Sequence, residues 1–137
     1  MNNFLFYDSP LKENSRSAVL LLLRLFIGFM MLTHGWAKLT NFDTLSASFP
    51  DPLGVGSMAS LVMALLAEVG CSLLLIFGIF TRLAVLPLIF NMIVAAFVVH
   101  AGAGLQGREL AIMYLAMYIL VFFMGGGRYA IDRFFLK

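Results

Sequence analysis

The chain predicts an all-α fold, a four-helix transmembrane bundle, on three observations. Hydrophobic residues make up 62% of its 137 positions and charged residues 12%, with a mean hydropathy of +0.99. A soluble domain is about half apolar and about a quarter charged. Four apolar runs fill most of the length, each close to the roughly 20 residues a helix needs to cross a hydrocarbon core of about 30 Å. The first two runs each admit one charge, Arg24 and Glu68, which hydrocarbon rejects and a bundle interior can hold. Residues 17–137 therefore read as a single membrane domain behind a cytoplasmic interfacial tail, 1–16, with no room left for a soluble domain.

The tail is mixed and polar, with Lys12 and Arg16 just ahead of the first run. Span one covers 17–36, and its ten Val, Leu, Ile and Phe residues favour insertion by about 0.3–0.6 kcal/mol each. Together they outweigh the roughly 3 kcal/mol of an arginine, which Arg24 lowers further by lying off-centre. Trp36 and Lys38 mark the far interface. The longest connection, 40–57, holds Pro50, Pro52, Gly54 and Gly56. Within it Phe42, Leu45 and Phe49 recur at helical spacing, so Asn41 to Phe49 is expected to form a short amphipathic segment in the first outer connection. Span two covers 58–80. Only Thr81-Arg82 separates it from span three, 83–100, which makes the two antiparallel neighbours. Pro87 falls in the first turns of span three, where a missing N–H is tolerated. A Gly-rich link, 101–107, leads to span four, 108–124. Gly125-Gly126-Gly127 stops that helix, and a basic, aromatic tail follows from Arg128 to Lys137.

Basic residues set the orientation. Lys12, Arg16, Arg82, Arg128, Arg133 and Lys137 share one side and Lys38 and Arg108 the other. The excess places both termini in the cytoplasm, N-in and C-in, in the cell's cytoplasmic or inner membrane. The first run is long and contains Arg24. It is followed by Gly35-Trp36-Ala37-Lys38 rather than a small-residue cleavage site, so no removable leader is expected. A single cysteine, Cys71, excludes an intramolecular disulfide. A net charge of +2 with the basic residues at the membrane edge gives no nucleic-acid footprint.

At 100° per residue, Arg24, Gly28, Met31, Gly35 and Lys38 fall on one line of span one, and Ala64, Glu68, Ser72 and Leu75 share a stripe of span two. The glycines allow a neighbouring helix to approach closely. Counted from the cytoplasmic ends, Arg24 lies about 10 Å deep and Glu68 about 18 Å, a gap an extended arginine largely bridges. An Arg24–Glu68 ion pair is the expected contact. Read as structure, it pins helix register. Read as chemistry, it makes Glu68 a proton carrier or quinol hydrogen-bond acceptor tuned by Arg24.

A second polar group, His34, Lys38, His100, Arg108 and Glu109, lies toward the outer face. His34 and His100 both reckon to about 25 Å from the cytoplasmic side, the arrangement that ligates a b-type haem or brackets a quinone headgroup. Because His100 projects opposite Asn91 on its own helix, an outer polar network accounts for the group better than haem does. Asn91, the strongly polar residue within span three, is expected to hydrogen-bond between helices. Tyr114 and Tyr118, one turn apart, could touch a planar ligand, but packing explains them without one. No metal-ligand spacing, phosphate loop or Ser/His/Asp order is present. No metal site is expected, no catalytic residue can be named, and an autonomous enzyme is the least favoured reading.

The run Leu23-Arg24-Leu25, Gly28 and His34-Gly35-Trp36-Ala37-Lys38-Leu39 resembles the opening signature of the DoxX family of small four-span membrane proteins. Ala67-Glu68-Val69-Gly70, Leu73 to Arg82, Arg108-Glu109-Leu110 and Gly125 to Asp132 resemble it too, so the likeness runs from about Leu20 to the end. The resemblance implies a bacterial or archaeal cytoplasmic-membrane protein tied to quinone-linked oxidoreductases or to thiol and oxidative-stress assemblies. On it Arg24, Gly28, Gly35, Lys38, Glu68, Gly70 and Gly78 match the family's motif positions. The leading expectation is an integral membrane subunit or scaffold of a redox complex, with a quinone site among Arg24, His34, Lys38 and Glu68 and contacts from His100 and Glu109. A soluble redox enzyme and further copies of the chain are the expected partners besides lipid. The alternative is a small proton-coupled transporter or permease that uses Glu68, and a plain structural anchor is a third.

Overall fold

A run of some twenty apolar residues in lipid leaves its backbone no partner but itself, so each run is driven into helix. The computed structural model describes residues 12–102 and 104–135. In chain order the helices are α1 (Glu13–Thr40), α2 (Phe42–Leu45), α3 (Ser57–Phe77), α4 (Thr81–Val99), α5 (Gly104–Met124) and α6 (Asp132–Phe135). Of these, α1, α3, α4 and α5 are long and apolar enough to cross a membrane. No strand occurs among the described residues. Of the expected tail 1–16, residues 1–11 lie outside the described residues, and Glu13 to Arg16 open α1. Ala103 of the expected link and Lys137 of the basic tail also lie outside them.

The spanning helices alternate in direction. The start of α1, the α3–α4 turn and α6 share one end of the bundle, here called the terminal face. The connection from Thr40 to Ser57 and the link after Val99 share the other, the loop face. α3 stops at Phe77 rather than continuing to Phe80, because Gly78 takes a left-handed conformation at φ +73°. Ile79 N then donates to Leu74 O at 2.9 Å and Gly78 N to Leu75 O at 3.2 Å, the paired closure of a Schellman turn. Gly125 ends α5 in the same conformation, at φ +76°.

The charged stripes face inward. Arg24, Gly28, Met31 and Gly35 are buried on α1, and Ala64, Glu68, Ser72 and Leu75 on α3. A Cβ on Gly28 would stand 2.6 Å from Ile76 Cγ1, and one on Gly35 would stand 2.7 Å from Val69 Cγ2 and 3.1 Å from Glu68 Cβ. Those two contacts fix the register of the antiparallel pair: Gly28 lies level with Ser72 and Ile76, Gly35 with Glu68. Ile27, Met31, Leu75, Val85, Leu88, Met92, Tyr114, Tyr118 and Val121 form one packed core. Large side chains such as Leu22, Phe26 and Phe123 are turned outward, as expected where the solvent is lipid.

Two stretches are wound as π-helix, Leu66–Cys71 within α3 and Ala95–Val99 within α4. Such wide turns inside α-helices concentrate at functional sites. The first carries Glu68 and the second ends beside His100.

Candidate functional site

The expected Arg24–Glu68 ion pair is not formed, and the reason lies in side-chain direction. A helical Cα–Cβ bond tilts toward its own N-terminus. On α1 that tilt carries Arg24 toward the terminal face, and on antiparallel α3 it carries Glu68 toward the loop face. Gly35 is the α1 residue level with Glu68, and Arg24 lies eleven residues below it, about 16 Å along the axis. The two charges lean apart from levels that are already far apart.

Arg24 instead closes the end of α3. Its Nη1 donates to Leu75 O at 3.1 Å and Ile76 O at 3.3 Å, and its Nη2 to Tyr129 O at 3.2 Å. These are carbonyls of the last helical turn and of the C-terminal segment, where backbone acceptors lack helical partners and the helix dipole is negative. The segment after α5 completes the seal. Ile131 N donates to Phe77 O at 3.2 Å and Asp132 N to Gly78 O at 2.9 Å. The Asp132 carboxylate accepts from Phe80 N at 2.5 Å and Thr81 N at 2.8 Å, capping α4 from a distant part of the chain.

Glu68 is paired with Lys38. Lys38 Nζ lies 2.5 and 2.6 Å from the two carboxylate oxygens. The same tilt that separates Arg24 from Glu68 brings Lys38 back toward the level of Gly35 and brings Glu68 up to meet it. Gly35, with no side chain, leaves the passage open. Glu68 is 2% exposed and Lys38 30%. One member of the pair is thus held in the interior and the other reaches its edge.

Lys38 lines a cavity of about 440 Å³ between α3, α4 and the long connection. Phe49, Pro50, Pro52 and Leu53 form its roof, and Met63, Ala64 and Ala67 of α3 face Pro87, Phe90 and Val94 of α4. Its polar groups are few: Lys38, Ser60, Asn91 and His100. Asn91 was expected to bridge helices. It lines this cavity instead, and its side chain makes no hydrogen bond among the described residues.

The outer polar group divides. Lys38 and His100 reach the cavity, but His34 does not. Its ring meets Tyr114 edge-on at 6.0 Å on the exposed side of α1, so the two histidines do not face a common centre. Glu109 is exposed on α5, and Arg108 lies 5.8 Å over the Phe97 ring. Tyr114 and Tyr118 stack at 5.9 Å within the core. Among the described residues, no three His, Cys, Asp or Glu side chains converge.

Two working residues escape a reading of the sequence. Asp132 caps amides 52 and 51 positions away, which no local pattern reveals. Asp51 accepts from Val55 N at 2.9 Å, Gly56 N at 2.7 Å and Ser60 Oγ at 2.9 Å. It ties the cavity roof to the start of α3, and its place ahead of a Pro and Gly-rich turn is the signal that could have found it. These bonds, that of the Gly56 amide foremost, hold the Asp51 carboxyl below its ordinary value despite some desolvation.

Comparison with known proteins finds relatives and a family. Two uncharacterized proteins of Haemophilus influenzae are similar along nearly their whole lengths. One is 34% identical over 132 residues, covering 91% of this chain and 96% of its own. The other is 27% identical over 138 residues, covering 95% and 91%. No solved structure matches. The DoxX family model matches residues 19–101, a stretch that includes Arg24, Lys38, Glu68, Asn91 and His100. With four helices fit to cross a bilayer, the chain is a multi-pass membrane protein and belongs to the DoxX family.

Proposed function

We propose that this protein is an integral membrane subunit of a quinone-linked redox complex, and that its cavity receives the quinone headgroup. The observation that carries the reading is one apolar cavity of about 440 Å³ with Lys38, Asn91 and His100 at its wall and Glu68 held behind Lys38. Ligand sites are mostly apolar, with a few placed polar groups that fix orientation. A quinone is neutral and planar with two carbonyls, and it matches a neutral Lys–Glu pair better than a charged substrate does. Lys38 and the Asn91 amide would donate to a carbonyl, and Glu68, behind Lys38, would hold that ammonium in place. Met63 and Phe90 on the rim are 45% and 55% exposed, and an isoprenoid tail would leave toward lipid between them.

The excess of basic residues at the terminal face favours a cytoplasmic location for it, in the inner membrane, with a soluble redox partner docking there. The test is lipid extraction of the purified protein with quantification of bound quinone, followed by titration with a short-chain benzoquinone and a short-chain naphthoquinone. Near-stoichiometric quinone, reduced about tenfold or more by Lys38→Met and by Asn91→Leu, is the expected outcome. No bound quinone together with no saturable binding of either analogue would end the reading.

A further inference from the structure

The surroundings of Glu68 differ sharply in its two axial directions. Toward the loop face it touches Lys38, which is 30% exposed and lines the cavity. Toward the terminal face, one turn or about 6 Å away, come Ser72 and Tyr118, whose buried Oγ and Oη have no hydrogen-bond partner among the described residues. Ser72 lies about 22 Å from the loop-face start of α3, and Tyr118 about 21 Å from that of α5. The run of polar groups breaks there, and the next buried polar atoms without a partner, Arg24 Nε and Thr81 Oγ1, lie beyond an apolar layer. Ile27, Leu75, Val85 and Val121 follow, each 0% exposed and all within one packed core. Beneath them lies the guanidinium of Arg24, also 0% exposed, bonded to the carbonyls of Leu75, Ile76 and Tyr129. A fixed cation at that point repels protons electrostatically.

We propose that the Lys38–Glu68 site and its cavity exchange water and protons with the loop-face solution alone, with the apolar layer and the Arg24 clamp as a standing seal on the other side. The proposal rests on the cavity being a binding site, though not on which ligand it binds. Its functional consequence is direction. A proton released from a ligand in the cavity returns to the loop-face side, and the chain by itself carries no proton across the membrane. A carrier that used Glu68 in a two-sided path would need a way past Leu75 and Arg24.

The test is cysteine accessibility in the full-length protein carrying Cys71→Ser, in sealed vesicles of both orientations. The probe is a small, membrane-impermeant cationic methanethiosulfonate. Val55→Cys and Arg16→Cys, exposed at the loop and terminal faces, report which side each preparation presents. Ala64→Cys and Asn91→Cys sample the cavity and Ser72→Cys the interior beyond Glu68, each checked for a monodisperse fold. The expected result is labelling of Ala64→Cys and Asn91→Cys at least tenfold faster from the loop face, and none at Ser72→Cys from the terminal face. Terminal-face labelling of any of the three at a rate near the loop-face rate overturns the proposal. So does failure to label either cavity position from the loop face while Val55→Cys reacts. No quinone enters this experiment, so its failure and the failure of the quinone reading are separate outcomes.

Discussion

Replacing Lys38 with Met tests whether the pair at the cavity edge is a true energetic unit. Glu68 is 2% exposed and holds Lys38 Nζ at 2.5 and 2.6 Å with both oxygens. Removing one partner of a buried pair costs about 3–5 kcal/mol because the survivor is left uncompensated. Lys38 is 30% exposed, and the cavity beside it offers Glu68 some relief, so the low end, about 3 kcal/mol, is the expected loss for Lys38→Met. Glu68→Gln should cost less, about 1–2 kcal/mol, since Lys38 can extend toward the interface. The double variant removes both charges at once, which is often close to neutral. Even if the double variant loses about 2 kcal/mol to imperfect repacking, it falls short of the sum of the single losses, about 4–5 kcal/mol, by about 2–3 kcal/mol, well beyond the error of additivity for independent sites. The assay is reversible unfolding of the purified protein in mixed micelles across a detergent titration. A parallel cycle with Arg24→Met and Glu68→Gln should show no coupling. If Arg24 couples to Glu68 and Lys38 does not, the antiparallel register argued from Gly28 and Gly35 is wrong.

Three further outcomes follow from the same contacts. Arg24→Lys keeps the charge but cannot span the carbonyls of Leu75, Ile76 and Tyr129 together. With two bonds lost at about 1.5 kcal/mol or more each, a destabilisation near 3 kcal/mol is expected in the same titration, and unchanged stability would remove Arg24 from the clamp. Gly78→Ala and Gly54→Ala form a matched pair at φ +73° and +72°. Only at Gly78 would the new Cβ collide, 2.5 Å from both Ala130 Cβ and Arg24 Nη1, whereas nothing lies within 4 Å at Gly54. Gly54→Ala should thus show only the left-handed penalty of about 1–2 kcal/mol, and Gly78→Ala clearly more; equal losses would deny the close approach. Asp51 has a lowered carboxyl value in the folded state, chiefly from the Gly56 amide. Its stabilisation of the cavity roof is complete above the ordinary 3.8 and fades as pH falls below that through the depressed value. The protection factors of the Val55 and Gly56 amides, taken against the intrinsic exchange rate at each pH, should fall on acidification across that window, and Asp51→Asn should abolish that pH dependence.

The four crossings were legible because hydrocarbon thickness and backbone self-satisfaction leave an apolar run few alternatives. The inward faces were legible too. A 100° step identifies Arg24, Gly28, Met31, Gly35 and Lys38 as one stripe and Ala64, Glu68, Ser72 and Leu75 as another, and all but Lys38, which is 30% exposed, are buried. What periodicity supplies is an angle around each helix. It carries no information about how far one helix slides along its neighbour. The depth count took the terminal-face ends of α1 and α3 as level, whereas Arg24, eleven residues into α1, stands beside the last turn of α3. The overhang of α1 at the terminal face, where Arg128 meets Glu13 at 3.0 Å and Ser17 at 3.2 Å, was invisible to it. Asp132 was unreadable for a related reason, since its role exists only once the chain has folded back onto the α3–α4 turn.

One rule available from the sequence would have chosen the right partner. In antiparallel neighbours, side chains lean toward opposite ends of the bundle. An acidic residue on the returning helix therefore meets a base lying beyond it on the outgoing helix, never one lying short of it. Lys38 stands beyond Glu68 and Arg24 short of it, so the lean alone selects Lys38. The same geometry sends Arg24 down to the end of α3, where the carbonyls of a terminating helix are the natural acceptors for a guanidinium. The two intramembrane charges thus serve different ends. Arg24 satisfies backbone and fastens the terminal face, a role that asks for rigidity. Glu68 holds a partner that remains partly exposed at the wall of an apolar cavity, on a turn of π-helix. In the proposed site the group that exchanges hydrogen bonds with a ligand needs freedom, and Lys38, 30% exposed at the cavity wall, has it where Arg24 does not.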